Sequence, residues 1–354
     1  MLDYPRSQNQ DIVCEQQIDP CFCVAHNPLS SYLGSTIVSK GCIRDTTYDY
    51  VHRRIQRSRF FSKRYMLTNS SFDALQYHLV PNIIWDEAFN CYNDTFLLLL
   101  IYVSQSDVKR RAMFREVFSR RQIIEGKRVQ YLFVVAADPA SPEDLPLMTH
   151  ENALHHDILI SKHVDDYRHL VLSVLDSFLW VRDHCREPVF VAKMDGDVFV
   201  HLGNLVGYLR SVRASEFYGG HSVRTVFVTT RQRDHMFSFP DDYPAWKRIL
   251  LYNVGGAYVL SRDLVPYVSI GALYQDFIFV AEDSLVGKVL RDIRVPFAPE
   301  PIGYKFLADV VLGDRLGEYN SWPKSIIFVH NLKDFDYLNR TYAHFRNEMY
   351  VNYF

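Results

Sequence analysis

One stretch, VFVAKMDGDVFV from Val189 to Val200, constrains the fold more than any other. A short apolar segment runs into two carboxylates one residue apart, and a second apolar segment leaves. The first segment is rich in β-branched and aromatic residues and follows Pro188, which predicts a buried strand. In extended chain, residues i and i+2 point to the same side. Asp195 and Asp197 therefore converge on one cation or one ligand, and Gly196 between them leaves the backbone open to close approach. In open α/β sheets ligands sit beyond the carboxyl ends of strands. Two acids there point to an oxygen-liganded Mg²⁺ or Mn²⁺ carrying a phosphate-bearing substrate. A D-x-D triplet arises about once by chance in a chain of this length. A second copy, Asp334-Phe335-Asp336, indeed stands in a polar stretch near the C-terminus. The weight of the first copy thus comes from its setting.

That setting alternates. Thr95 to Val103 reads as a buried strand. Lys109 to Arg121 reads as a helix with Met113, Phe114, Val117 and Phe118 on one stripe, capped by Ser106 or Asp107. Arg128 to Ala136 is a second buried strand, closed by the turn signal of Asp138 to Pro142. A loop carrying Glu151 leads to a short strand, Asp157 to Ile160. Asp165 opens a helix through Tyr167, Leu170, Val174 and Phe178 that ends near Cys185. After the acids come a helix from Leu202 to Arg213 and two strands, Phe217 to Gly220 and Val223 to Thr230. The polar segment Gln232 to Pro244 is long enough for a lid or acceptor loop. Gly255-Gly256 suggests close backbone approach to a ligand or another strand. Glu282-Asp283 opens a helix, a position where acids commonly serve as caps. Ser325 to Val329 is a last strand, ending at His330. Strands alternating with helical periods give an α/β fold, a mainly parallel sheet with helices on both faces.

With 354 residues, 48% of them hydrophobic, the chain can bury a large core. A net charge of -2 argues against nucleic acid as a partner. Six cysteines are present, four of them before residue 43, and spacing alone leaves their pairing open. Sequons at Asn69, Asn93 and Asn339 permit a secretory location. The first residues carry no basic-then-apolar signal pattern, and the longest apolar run, Phe96 to Val103, is too short to span a bilayer. Residues 1 to about 90 lack a clear period and read as a stem or irregular lobe, with a solvated basic cluster from Arg53 to Arg59.

Taken in order, these motifs resemble those of the family 31 glycosyltransferases, the β1,3-galactosyltransferases and β1,3-N-acetylglucosaminyltransferases related to Fringe. Arg111, Phe114, Arg115 and Phe118 match R-x-x-I-R-x-T-W, with Phe for Ile and for Trp. Glu151 and Asp157 match E-x-x-x-x-x-D. Asp165, Tyr167, Leu170, Trp180 and Cys185 fit D-x-Y-x-N-L-T and the W-x-x-x-x-C that follows. Lys193 to Val200 fits K-x-D-D-D-x-F-V, with Gly196 for the middle acid. Tyr252 to Ser261 fits Y-x-x-G-x-G-Y-x-x-S, with Ala257 for the second glycine, Glu282 to Gly287 fits E-D-V-Y-V-G, and His330 fits a late histidine. The matched region spans about two-thirds of the chain.

The resemblance implies a GT-A fold over residues 91–354, a UDP-sugar donor, Mn²⁺ (with Mg²⁺ as the substitute), inversion at the anomeric carbon and a glycan acceptor on glycoprotein or glycolipid. It also implies the luminal side of the Golgi membrane and a type II anchor, which this sequence does not display and an upstream exon would supply. By position, Asp197 and His330 are the implied metal ligands. Asp195, Arg111, Arg115 and Lys193 are the implied donor-binding residues, and Asp283 the general base. A base that takes the acceptor proton in a single displacement must stand opposite the leaving group, away from the metal acids, as Asp283 does in sequence. Galactose is the first expectation for the sugar and N-acetylglucosamine the next. Gly196, and the departures His169, Val171 and Ser173 in the long helix, support one alternative: an inactive family member acting as a luminal partner or chaperone. A metal-dependent phosphohydrolase using the same acids is a third reading on chemistry alone.

Overall fold

The computed structural model describes residues 81–167, 169–226, 249–272, 281–298, 305–307, 322 and 324–353. The Arg53–Arg59 cluster, Asn69, the Gln232–Pro244 segment and the four N-terminal cysteines lie outside the described residues.

The sheet is built around β2 (Thr95–Tyr102), an apolar octet buried at every position. A strand that is apolar on both faces needs cover on both faces. One face packs on α1 (Val108–Ser119), whose Phe114 and Phe118 join Leu97, Leu99 and Ile101 in the main core. The other face meets α3 (Leu170–His184), where the Tyr102 hydroxyl lies 2.5 Å from Ser177 Oγ. Two further crossovers use β4 (Lys127–Ala136), α2 (Asp144–His155) and β5 (Ile158–Ser161). The chain then returns through α3 to β6 (Phe190–Asp195). β5, β4, β2 and β6 are mutually parallel in that order. Antiparallel strands flank them: β1 (Ile83–Ile84) beside β5, a short β3 (Ile123–Ile124) on β4, and β9 (Ile249–Ser261) then β8 (Tyr218–Val226) beyond β6.

Strand order reverses between β2 and β6. The chain builds β4 and β5 to one side of β2, then crosses back to place β6 on the other. The carboxyl ends of β2 and β6 therefore flank a topological switch point, where ligands bind in such sheets. Tyr102 and Asp195 are register partners there.

A second, three-stranded sheet holds the late histidine. β7 (Phe199–Val200) pairs antiparallel with β11 (Ile326–Val329), which is parallel to β10 (Lys305–Leu307). Val329 pairs with Phe199, so the next residue, His330, falls beside the acid loop. α4 (Leu202–Ser211), α5 (Val265–Ala272), α6 (Glu282–Asp292) and α7 (Phe335–His344) complete the elements used below. Among the described residues no helix is long and apolar enough to cross a membrane.

Several expectations change. The segment before Asp157 is the helix α2, not a loop; its apolar side is narrow, which hid its period. α3 begins at Leu170 rather than Asp165, because Asp165 is spent on the neighbouring loop. The two strands expected after Phe217 are one strand with an irregular register between Gly220 and Ser222. Residues before 91 also join the sheet: Ile83 and Ile84 pair with β5, and Trp85 and Phe89 pack against Trp180. Cys91 and Cys185 form a disulfide across 94 residues. The second D-x-D is a helix start, with Asp334 accepting from the Tyr337 amide at 2.7 Å and capping α7.

Candidate active site

β6 delivers its side chains alternately. Lys193 and Asp195 leave one side, and the chain turns immediately after Asp195. The Gly196 amide donates to the Tyr102 carbonyl at 2.8 Å, which pins the turn to the end of β2. Asp195, Asp197 and His330 each present a ligand atom, all within 4.8 Å of one another. His330 Nε2 stands 3.4 Å from Asp197 Oδ1 and 3.9 Å from Asp195 Oδ2. The buried Asp197 Oδ1 accepts no well-formed hydrogen bond, since 3.4 Å is long and the imidazole meets it off-axis. Two carboxylates and an imidazole, with an under-donated buried oxygen between them, fit a hard or borderline divalent cation such as Mn²⁺. Burial alone would raise the Asp197 carboxyl, but the adjacent His330 outweighs it and holds the group below the usual range. Burial raises Asp195 against the pull of Lys193.

Lys193 is 1% exposed, so its charge must be paired. Its Nζ lies 2.6 Å from Asp195 Oδ1 and 2.9 Å from Glu282 Oε1, and also donates to the Gly255 carbonyl. Glu282 takes a further hydrogen bond from the Tyr258 hydroxyl at 2.8 Å. Burial pushes the Glu282 carboxyl up to about 7, opposed by Lys193. The ammonium thus joins the metal acids to the first turn of α6. There, Asp283 accepts from the Gly255 amide at 2.8 Å and from the Ser284 amide at 2.6 Å. Burial raises the Asp283 carboxyl, while Lys193 and these donors act the other way.

The paired glycines make this convergence possible. Met194 pairs with Ala257, so Gly256 and Gly255 run alongside the acids. A Cβ at 256 would stand 2.3 Å from His330 Cγ. A Cβ at 255 would stand 2.8 Å from Glu282 Oε1 and 3.1 Å from Asp283 Oδ2. The close approach read from the sequence is therefore to the site's own side chains.

A cleft of about 360 Å³ opens beside the acids at the switch point, lined by Tyr102, Ser104, Arg110, Tyr167, Asp195 and Asp197 among others. Its floor, the loop after β2, is fastened twice. Asp165 accepts from Ser104 Oγ at 2.6 Å and from the Gln105 amide at 3.1 Å. From below, Arg111 donates to the carbonyls of Ser104 at 2.8 Å and Gln105 at 3.1 Å.

Arg111 and Arg115 thereby depart from their implied role. Arg111 is fully buried and clasps Glu151 through Nε at 2.9 Å and Nη2 at 2.7 Å. Arg115 holds Asp157 at 2.8 and 2.9 Å and also Glu151. Neither lines the cleft. The two motifs R-x-x-x-R and E-x-x-x-x-x-D form one buried network that supports the cleft from behind. Phe118 likewise belongs to the core, packed on Phe114, Tyr131 and Tyr342.

The structure brings Asp195, Asp197, His330, Lys193 and Asp283 together and sets Arg111 and Arg115 apart. Sequence reasoning missed Glu282 and Arg110. The signal for Glu282 was the buried Lys193, whose charge required a second partner; nothing in the sequence singled out Arg110.

A mainly parallel sheet with a cleft at its switch point and an acid–imidazole cluster beside it is the GT-A glycosyltransferase fold. The sequence profile described as Galactosyltransferase matches residues 109–301, and the chain belongs to that family. It is 25% identical over 275 residues to the zebrafish (Danio rerio) lactosylceramide 1,3-N-acetyl-beta-D-glucosaminyltransferase A, covering 70% of this chain and 72% of that protein. It is 33% identical over 189 residues to the human (Homo sapiens) UDP-GalNAc:beta-1,3-N-acetylgalactosaminyltransferase 1, covering 51% of this chain and 56% of that protein. Among solved structures it is similar to the WbbM bifunctional glycosyltransferase, at 12% identity and a TM-score of 0.39, covering 74% of this chain and 52% of that one.

Proposed function

We propose that the protein is an inverting glycosyltransferase that moves one sugar from a UDP-sugar to a hydroxyl of a glycan in β1,3 linkage, with Mn²⁺ as cofactor. The observation that carries the reading is the convergence of Asp195, Asp197 and His330 within 4.8 Å, with the two acids lining the switch-point cleft. A divalent cation held there would offset the charge of the departing diphosphate. Asp197 and His330 are the ligands of this reading. Asp195 stands with them and lines the cleft, where in this reading it takes the uridine ribose side. Asp283 is the base: fixed by two backbone amides, it takes the proton from the acceptor hydroxyl as the new bond forms. Lys193, locked between Asp195 and Glu282, keeps the spacing between the metal acids and the base-bearing helix.

For the donor, sequence motifs favoured galactose, whereas the two relatives by name transfer N-acetylglucosamine and N-acetylgalactosamine. The donor of this reading is a UDP-hexose or its N-acetylhexosamine counterpart. The compartment is the Golgi lumen. The Cys91–Cys185 disulfide suits an oxidising compartment, and the sequon residues Asn93 and Asn339 are exposed.

UDP release by the purified chain, measured across a panel of UDP-sugars and β-galactoside or N-acetylhexosaminide acceptors, tests the reading. Acceptor-dependent release from one donor, abolished by chelator and restored by Mn²⁺, is expected. Gly196 favours one second reading, a family member that binds without transferring. No release from any donor, with no Mn²⁺-dependent rise in melting temperature on adding UDP, would replace the first reading with the second. Release without acceptor would signal hydrolysis instead.

A further inference from the structure

Arg110 faces the cleft beside the acids, and its side chain is only 11% exposed. Its guanidinium makes three engagements. Nη1 donates to the Gly196 carbonyl at 3.0 Å, between the two metal acids. Nη2 donates to the Lys333 carbonyl, three residues beyond His330. Nε stands 2.5 Å from Asp107 Oδ2. Asp107 is in turn the N-cap of α1, so the guanidinium is tied to the rigid first turn of a core-packed helix.

The two carbonyls belong to the two segments that supply the cation site: the acid loop, which runs from β6 into β7, and the residues that follow β11, the antiparallel partner of β7. Beyond the strand pairing, the Leu332 amide donates to the Asp197 carbonyl at 2.9 Å and joins the two loops directly. Asn331, with φ at 72°, turns the chain sharply after His330 and brings Lys333 back toward α1. Arg110 spans what this turn and the acid loop leave open. A planar guanidinium can donate to two carbonyls in fixed directions at once, whereas an ammonium acts as a point charge.

We infer that Arg110 is a positioning residue that fixes the separation of Asp195 and Asp197 from His330 and thereby sets the affinity for the divalent cation. The inference rests on the metal reading above. Because Arg110 acts on the ligand segments and not on Asp283, its loss weakens cation binding while leaving the proton transfer intact.

The test measures Mn²⁺ binding to the full chain in the presence of UDP, together with the Mn²⁺ dependence of UDP-sugar turnover, for wild type, Arg110→Ala and Arg110→Lys. Partners outside the ligand set typically change metal affinity by about 10–100-fold, and a loss of that size is expected in both variants. Saturating Mn²⁺ should return kcat toward the wild-type value, and a wild-type melting temperature measured without Mn²⁺ separates this rescue from general destabilisation, which ligand binding would also offset. Arg110→Lys retains the charge and the aliphatic stem, so it reports on the clamp if the alanine variant does not fold. Wild-type Mn²⁺ affinity in the folded lysine variant would overturn the inference. Wild type that binds UDP with no Mn²⁺ dependence would overturn the metal reading itself, and the inference with it.

Discussion

Gly256→Ala gives the sharpest test of the cation site. The added Cβ would lie 2.3 Å from His330 Cγ, 2.5 Å from Nδ1 and 2.6 Å from Cδ2. Ordinary van der Waals contact begins near 3.4 Å, so the imidazole must retreat by about 1 Å. Metal–ligand distances tolerate only about 0.2 Å, and a ligand displaced this far is lost or badly angled. The strand itself accommodates alanine: a glycine inside a strand costs about 0.5–1 kcal/mol relative to Ala, and φ at 256 is not in the left-handed region. The nearest atom is Cγ, at the base of the imidazole, so relief requires the whole His330 side chain to move. Stability should fall by about 1–3 kcal/mol, the usual cost of overpacking, a shift of several degrees in melting temperature. Mn²⁺-dependent UDP binding should fall by about 10–100-fold. Turnover should fall by about 10²-fold, the usual cost of a 1 Å misplacement. Titration calorimetry of UDP with and without Mn²⁺, beside a thermal melt, reads both quantities. Unchanged Mn²⁺-dependent affinity in a folded variant would refute the assignment of His330 to the cation site.

Three other perturbations separate the remaining roles. Asp283→Asn should lower kcat by about 10²–10⁴-fold with UDP affinity retained. Because both Asp283 oxygens accept backbone amides, the new amide nitrogen also leaves one N–H without an acceptor, at about 1–3 kcal/mol; near-normal kcat would remove Asp283 as the base. Arg111→Ala should destabilise the fold by about 3–5 kcal/mol in urea denaturation, because it strips a buried carboxylate of its partner and frees the cleft floor. Lost UDP affinity at unchanged stability would instead restore the implied donor contact. His201 caps α4 through the Asn204 amide and is 2% exposed, and burial pushes its imidazole down to about 4. The folded value lies below the unfolded one, so its contribution is complete above about pH 6.5 and is lost as pH falls toward 4, up to about 3 kcal/mol in all. His201→Asn keeps a capping acceptor and should flatten the melting temperature across that window; an unaltered acid slope would exclude His201 as its source.

What could be read in advance follows from the range of the interactions. β2 and β6 were legible because a strand buried on both faces is a continuous apolar run, and the acids were legible as the polar end of that run; the strand stops at Asp195, however, so it is a turn and not period two that brings Asp197 beside it. Asp107 was legible as a cap because capping is local. α2 was not, because its outer face exposes Leu147 and Leu154 and blurs the period. Tertiary pairing cannot be heard in a single segment. Arg111 and Arg115 carry the same charge as donor-binding arginines, and only the fold shows that Glu151 and Asp157 lie within 3 Å of them. Gly256 could be flagged as a close-approach residue, but its partner lies in another sheet. The Cys91–Cys185 bridge likewise joins ends of the chain that no spacing rule connects.

Position 196 decides how the family's acid triplet is to be read in this chain. A Cβ there would meet Val103 Cγ2 at 3.1 Å and the Tyr102 carbonyl at 3.2 Å, at the end of β2 and away from His330 among its nearest atoms. The missing acid therefore takes no ligand atom away from the cluster formed with His330. What Gly196 contributes is its backbone, with the amide held by Tyr102 and the carbonyl by Arg110. Rigidity that a side chain could lend the loop comes here from α1 instead, through the guanidinium that also reaches Lys333. On this reasoning the glycine marks a loop braced from outside rather than an emptied site. Arg110→Lys should then impair cation binding more than Gly196→Ala, which asks its neighbours to yield only a few tenths of an ångström.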